Sequence, residues 1–342
     1  MDPSRFPTAT TGTPGTTAVT ATAMTKGGTG YQSMIDAESV DEFVHSQTTR
    51  ASDKYRKDII QLNEDERKIE RFIANGPKCR SDKVACYDEV LEIADPDFFV
   101  HANTFKSPWG NFIMSQAPIS STIGDHLHLI WLYNVRTIVS MVGAEETGGY
   151  FSRDVGSSVS IFLKYSMTTL SIYDEKQGVT VYQCELKSHK ADKKMGMNKR
   201  MIYIITCPTQ LLGVRAYRTQ TVALEYMWAM EDVLALEGQT TCVLVHGVTG
   251  TRRTSSFVAG AIMCKQILET GKFGSMDTWV ELRKRRCHAC SKQDFYSSLF
   301  LVFMFCIQAS FVSSNNDAFK KTIEAIRTEL ELCAKPEKDK DD

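Results

Sequence analysis

Residues 242–268 read CVLVHGVTGTRRTSSFVAGAIMCKQIL, and three kinds of local structure follow one another within them. Val243 to Val245 is a short apolar run between polar neighbours, the pattern of a buried strand. Phe257, Ala261, Cys264 and Leu268 recur at spacings of four, three and four, which predicts one apolar helix face. Between strand and helix lies a small-residue loop with Gly247 and Gly250, followed by Arg252, Arg253 and Thr254. Together these parts make an anion site, because the first N–H groups of a helix have no intrahelical partner and the helix dipole favours negative charge there. Arg253 adds a planar fork suited to two phosphate oxygens. The plain alternative is a strand–loop–helix turn with incidental arginines.

The bulk numbers set bounds around this stretch. The chain has 342 residues, 42% of them hydrophobic and 24% charged, as in an ordinary soluble globular protein with room for one large domain or two small ones. A net charge of −1 gives no reason to expect a nucleic-acid partner. The ten cysteines form no regular framework in a chain too long to need staples, so they read as mostly reduced thiols of an intracellular, cytoplasmic protein. Cys287 and Cys290 form a lone C-x-x-C without a second pair at zinc-finger spacing; neither a metal nor a cofactor is expected. No apolar core follows basic residues at the N-terminus, so no secretory signal is read. The longest apolar run, Leu299–Ile307, falls short of the roughly 18 residues of a membrane span. It reads as a buried core helix, and no membrane insertion is expected.

Taken in order, residues 1–35 are rich in Thr, Ala and Gly, without periodicity or large apolar residues, and are expected to be disordered. Residues 39–75 read as an N-terminal helical cap with Val40, Phe43 and Val44 on one face. Phe98–Phe105, Phe112–Pro118 and Thr137–Val142 read as strands. Thr122, with Asp125 three residues on, has the chemistry of an N-cap for a helix burying Ile123, Leu127, Ile130 and Trp131. Residues 158–186 alternate in pieces, which predicts antiparallel strands. Residues 187–200 form a basic loop and Met201–Thr206 another strand. Val222, Tyr226, Ala229, Val233 and Leu236 predict a helix face ended by Gly238. Arg283–Arg286 reads as a basic surface cluster, and residues 335–342 as a charged, disordered tail.

Several of these blocks share a pattern. Val245, His246, Gly250, Arg253 and Thr254 fall in register with V-H-C-x-x-G-x-x-R-[ST], which resembles the signature of the cysteine-dependent, tyrosine-specific protein phosphatases. Lys78, Arg80, Val84 and Asp88 resemble the K-N-R-Y-x-D-V-x-C-x-D block of that family's nematode-type branch. Val100, Ala102 and Asn103, then Gln116 and Pro118, then Thr122, Asp125, Trp131, Asn134 and Val135 match further blocks. The segment after Trp279 is similar to L-R-x-x-R…V-Q-T-x-x-Q-Y through Tyr296. The resemblance implies an α/β fold: a single phosphatase-like domain over residues 39–330, a twisted mixed β-sheet flanked by helices on both sides.

The resemblance also assigns roles, and the departures fall on them. The position of the nucleophilic cysteine is Gly247. That of the general acid is Thr209, after Cys207 and Pro208. The ring-stacking tyrosine is matched by Ser81, the aspartate that holds the substrate backbone by Lys83, and the two water-positioning glutamines by Ser291 and Phe295. The phosphate-binding set is His246, Val248, Thr249, Gly250, Thr251, Arg252, Arg253 and Thr254. Two functions are consistent with this pattern. One is an inactive relative that binds phosphotyrosine or serves as a scaffold, with a phosphotyrosine-containing or other signalling protein as partner. The other is an active phosphatase with altered catalytic residues.

Overall fold

In the computed structural model, the strand of the quoted stretch, Val243–Gly247, is central to a mixed sheet. The structure describes residues 37–46, 67–88, 98–161, 164–189, 198–208, 214–238, 242–312 and 316–334, all within the unit Tyr31–Asp342. Both expected tails, residues 47–66 of the expected cap, 190–197 of the basic loop, and Thr209 lie outside the described residues.

The strands are β1 (Glu38–Ser39), β2 (Ala102–Ser107), β3 (Gly110–Gln116), β4 (Thr137–Ser140), β5 (Ser158–Ile161), β6 (Tyr165–Lys176), β7 (Val179–Ser188), β8 (Lys199–Thr206), β9 (Val243–Gly247) and β10 (Lys272–Phe273). β1 and β10 pair as a small ribbon, and the other eight form one sheet in the order β2-β3-β9-β4-β8-β7-β6-β5. The middle is parallel, with β9 between β3 and β4, and β4 beside β8. Both margins are antiparallel. The antiparallel reading of residues 158–186 is found as β5, β6 and β7. The strand expected to begin at Phe98 begins at Ala102 instead, because Phe98 and Val100 are packed as core side chains ahead of the ladder.

The helices are α1 (Val40–Ser46), α2 (Glu70–Ala74), α3 (Ile123–Leu132), α4 (Val214–Leu236), α5 (Arg252–Thr270), α6 (Ser275–Arg285), α7 (Lys292–Gln308) and α8 (Asp317–Ala334). Strand alternation divides the core in two. Val243 and Val245 of β9 join Phe112, Met114 and Val139 in a large cluster with side chains of α1, α4, α5, α7 and α8. Leu244, Ile113 and Ile138 face the other way and pack with Leu127, Ile130 and Trp131 of α3. Helices therefore cover both faces of a mixed sheet, as expected. The run Leu299–Ile307 lies within α7, and no described helix is long and apolar enough to cross a membrane. None of the ten cysteines is in a disulfide.

Three local expectations need correction. Leu268 is 43% exposed, since the last turn of α5 outruns its packing. On α4, Val233 and Leu236 are 45% and 90% exposed, while Ala223, Met227, Met230 and Leu234 are buried. That helix lies between the sheet and α7, and two packing surfaces select a face shifted by about one residue. Thr122 does not cap α3. Its hydroxyl bonds the N–H and C=O of Ile119 at 3.0 and 3.2 Å, and Asp125 instead pairs with Lys78 at 3.1 Å.

Phe303 has no exposed surface and lies against Phe43 and Phe319, 5.6 and 5.1 Å between ring centres, so one side chain links α1, α7 and α8. Phe303→Ala is expected to cost about 3–5 kcal/mol, read as a lower urea midpoint. Leu236→Ala, at the exposed end of α4, should stay within about 0.5 kcal/mol of the parent.

Candidate functional site

The loop between β9 and α5 is shaped by what lies outside it. Gly250 has φ +70°, and a Cβ there would lie 2.2–2.5 Å from backbone atoms of Ser115 and Gln116, so only glycine fits. The carbonyl of Gly247 accepts from Ala117 N–H at 2.7 Å. Those of Thr249 and Gly250 accept from the Arg286 guanidinium at 2.8 and 2.9 Å. In a planar trans peptide the next residue's N–H points opposite the carbonyl. The amides of Val248, Gly250 and Thr251 thus turn toward the concave side, where the N-terminus of α5 adds its dipole.

Arg286, expected in a surface cluster, is completely buried. It also donates to Asn103 Oδ1 at 2.7 Å and meets His101 Nδ1 at 2.9 Å. The other ring nitrogen of His101 meets Val84 O at 2.8 Å, so its roles are fixed: Nδ1 accepts and Nε2 donates. Burial and the adjacent Arg286 hold the His101 pKa down at about 3. Arg283 of the same cluster is buried too, donating to Ala289 O at 3.0 Å.

The concavity is a cavity of about 740 Å³ bordered by Gly143, Glu145, Glu146, Pro208 and the run Gly247–Thr254. Arg253 donates to Met141 O at 3.0 Å and lies 3.6 Å from Glu146. Behind the loop, His246 Nε2 is 2.9 Å from the Tyr150 hydroxyl. Desolvation, then His126 and Arg80, push the His246 pKa well below the usual histidine range. At the base, a Cβ on Gly247 would meet the Thr254 hydroxyl at 2.8 Å. That hydroxyl is buried and has no hydrogen-bond partner among the described residues.

The sequence model of the protein-tyrosine phosphatase family matches residues 75–305, more than half of the chain. The protein belongs to that family. Comparison with curated proteins returns no match.

Within the family frame, the loop residues His246, Gly247, Val248, Thr249, Gly250, Thr251, Arg252, Arg253 and Thr254 come together as one structure. All of them except His246, which lies behind the loop, border the cavity. Of the remaining candidates, Ser81, Lys83, Ser291 and Phe295 do not border it. Ser81 accepts from the Lys83 N–H at 3.2 Å in a turn. Ser291 caps α7 by accepting from Asp294 N–H at 3.2 Å, a helix-start role that serine fills well. Phe295 packs edge-on against Tyr296, 5.6 Å between ring centres. Arg80 holds the entry segment in place through Ala117 O, Pro118 O and Glu146 O at 2.6, 2.7 and 2.8 Å. Sequence reasoning missed Glu146, Tyr150 and Arg286. Only Arg286 carried a signal, as the last position of the L-R-x-x-R block.

Two measurements follow from this geometry. Arg286→Lys cannot serve both loop carbonyls and Asn103 at once, and a buried acceptor left unpaired costs about 1–3 kcal/mol. Lower stability is expected, together with a weaker hold on oxyanions in calorimetry. His126 is buried, with neither ring nitrogen bonded to a described residue, and desolvation lowers its pKa to about 3. The folded state then binds fewer protons than the unfolded one below the ordinary value, so stability is full above about pH 6.5 and falls toward pH 3. His126→Phe should flatten that acid limb without loss at neutral pH, measured as urea midpoints between pH 7 and 4.

Proposed function

We propose that this protein is a pseudoenzyme of the tyrosine-phosphatase family that binds phosphotyrosine, and does not hydrolyse it, within a cytoplasmic signalling complex. One observation carries the reading: the cradle base holds glycine, with the Thr254 hydroxyl packed 2.8 Å from where a side chain would begin. The family's chemistry needs a nucleophile there, and glycine has none. The Thr254 hydroxyl is no substitute, since no described base bonds to it. The amides, the α5 N-terminus and Arg253 still suit a tetrahedral dianion. Losing a thiolate removes a negative charge that would face it. The block Lys78–Asp88 supports a place in the nematode-type branch.

The purified protein is expected to release no phosphate from an aryl phosphate above a blank. Phosphate or tungstate should bind at millimolar concentration or below, more weakly in high salt. Arg253→Ala should lose roughly tenfold or more in that binding, since a charge-assisted hydrogen bond contributes about 1.5–3 kcal/mol. Steady turnover that disappears in Arg253→Ala would establish the alternative, an active phosphatase with altered residues. Gly247→Cys alone should be at best a slow catalyst. Its Cβ must displace the Thr254 hydroxyl, and the leaving group lacks a proton donor at Thr209, where a general acid typically contributes about 10²–10⁴-fold. Adding Thr209→Asp should then raise the single-turnover rate more than tenfold.

A further inference from the structure

The anion end of the cavity rests on more than a helix N-terminus. Thr254 has no exposed surface, its hydroxyl lacks a described partner, and it borders the cavity floor. A buried hydroxyl in that state is completed by a ligand oxygen or by water. Two arginines and two glutamates border the cavity, so its lining charge sums to zero, yet not every charge in it is paired. Arg253 faces Glu146 at 3.6 Å, and the second Glu146 oxygen accepts from Gly143 N–H at 3.1 Å. Arg252 is held by the buried Asp294 at 3.7 Å and by Gln293. Arg80 donates to three backbone carbonyls and does not border the cavity, although its charge acts on Glu146. Glu145 borders the cavity, is exposed, and pairs with no described residue. Both bordering arginines are thus paired with a carboxylate, Arg252 with one from outside the lining, and Glu145 is the bordering charge without a described partner.

We infer that the cavity selects a phosphotyrosine peptide with a lysine or arginine next to the phosphorylated residue, Glu145 receiving that cation. The inference rests on the anion-binding reading above and adds a preference to it. A phosphate alone satisfies only the floor. A basic neighbour also answers the rim charge, and an acidic neighbour is repelled by it; such like-charge contacts are a common source of partner discrimination. The cavity is then bipolar, with anion-binding donors at depth and the Glu145 carboxylate at its edge.

The experiment titrates the full chain into three labelled phosphotyrosine peptides that differ only in arginine, alanine or glutamate beside the phosphorylated residue. Unphosphorylated peptides and inorganic phosphate serve as controls. The expected order is arginine over alanine over glutamate. Each step should be about threefold to fivefold at low salt, the range of an exposed ion pair, and smaller at high salt. Phosphate should displace all three. Glu145→Lys should reverse the order. Equal affinity for the three peptides, or an order unchanged in Glu145→Lys, overturns the preference while leaving the cradle intact if phosphate still competes. Binding of the unphosphorylated arginine peptide as tight as its phosphorylated form also overturns it. If neither phosphate nor any phosphopeptide binds, the anion reading itself falls.

Discussion

The loop between β9 and α5 keeps its shape because a guanidinium behind it is buried with no carboxylate partner among the described residues. Taking an arginine out of water is costly unless its donors are all answered. Here the answers are Thr249 O, Gly250 O, Asn103, His101 and the Cys86 sulfur. Those partners belong to the loop, to β2 with its lead-in, and to the entry segment of residues 78–88. One side chain therefore ties together parts far apart in the chain. Arginine's planar fork suits this task where lysine's single ammonium does not. The pull on the loop carbonyls is what turns its amides into the cavity.

Given that frame, the chemistry at the cavity floor turns on one missing side chain. A thiolate there would repel an incoming dianion before attacking it. Glycine removes both the repulsion and the attack and leaves amides, hydroxyls and Arg253 to act as a receptor. The pairing of Arg253 with Glu146 limits how strongly it holds an anion, because some of its charge is already answered. Arg252 is restrained in the same way by Asp294. On the function proposed above, the loop binds an anion through oriented backbone dipoles as much as through net side-chain charge.

The fold was readable from the chain because strand and helix periods are strong local signals and the family blocks sit on them. The existence and place of β3, β4, β8 and β9, the antiparallel margin and the core helix α7 followed from runs of apolar residues, with the strand ends shifted by up to two residues. The errors lie where tertiary packing overrides a local rule. Thr122 has the right residue type for a cap, yet its hydroxyl is engaged by its own turn. Val233 and Leu236 keep helical spacing but lie beyond the surfaces that bury α4. Arg286 is the most instructive case: four residues rich in charge read as solvated surface, and nothing local says that distant carbonyls of the loop will satisfy one of them. Ser291 shows the converse, a residue read for its place in a motif that the structure employs as a helix cap.

This overlap between fold and site bears on what the surviving motif means. His246 is tied to Tyr150, only glycine fits at Gly250 because a Cβ there would lie 2.2–2.5 Å from the backbone of β3, and the carbonyls of Thr249 and Gly250 complete the hydrogen bonding of Arg286. Each of these would be kept by the fold even if no phosphate ever bound, since removing any one leaves a clash or an unpaired buried group. Their presence therefore carries little weight for ligand binding. The weight falls on groups without a structural task. The Thr254 hydroxyl is buried and unanswered among the described residues, and the Glu145 carboxylate faces the same cavity unpaired with any of them. A fold selected only for stability would fill the first place with an apolar methyl, as valine does at nearly equal volume, and would have no call for the second. These two groups, more than the motif around them, support a cavity shaped by what it receives.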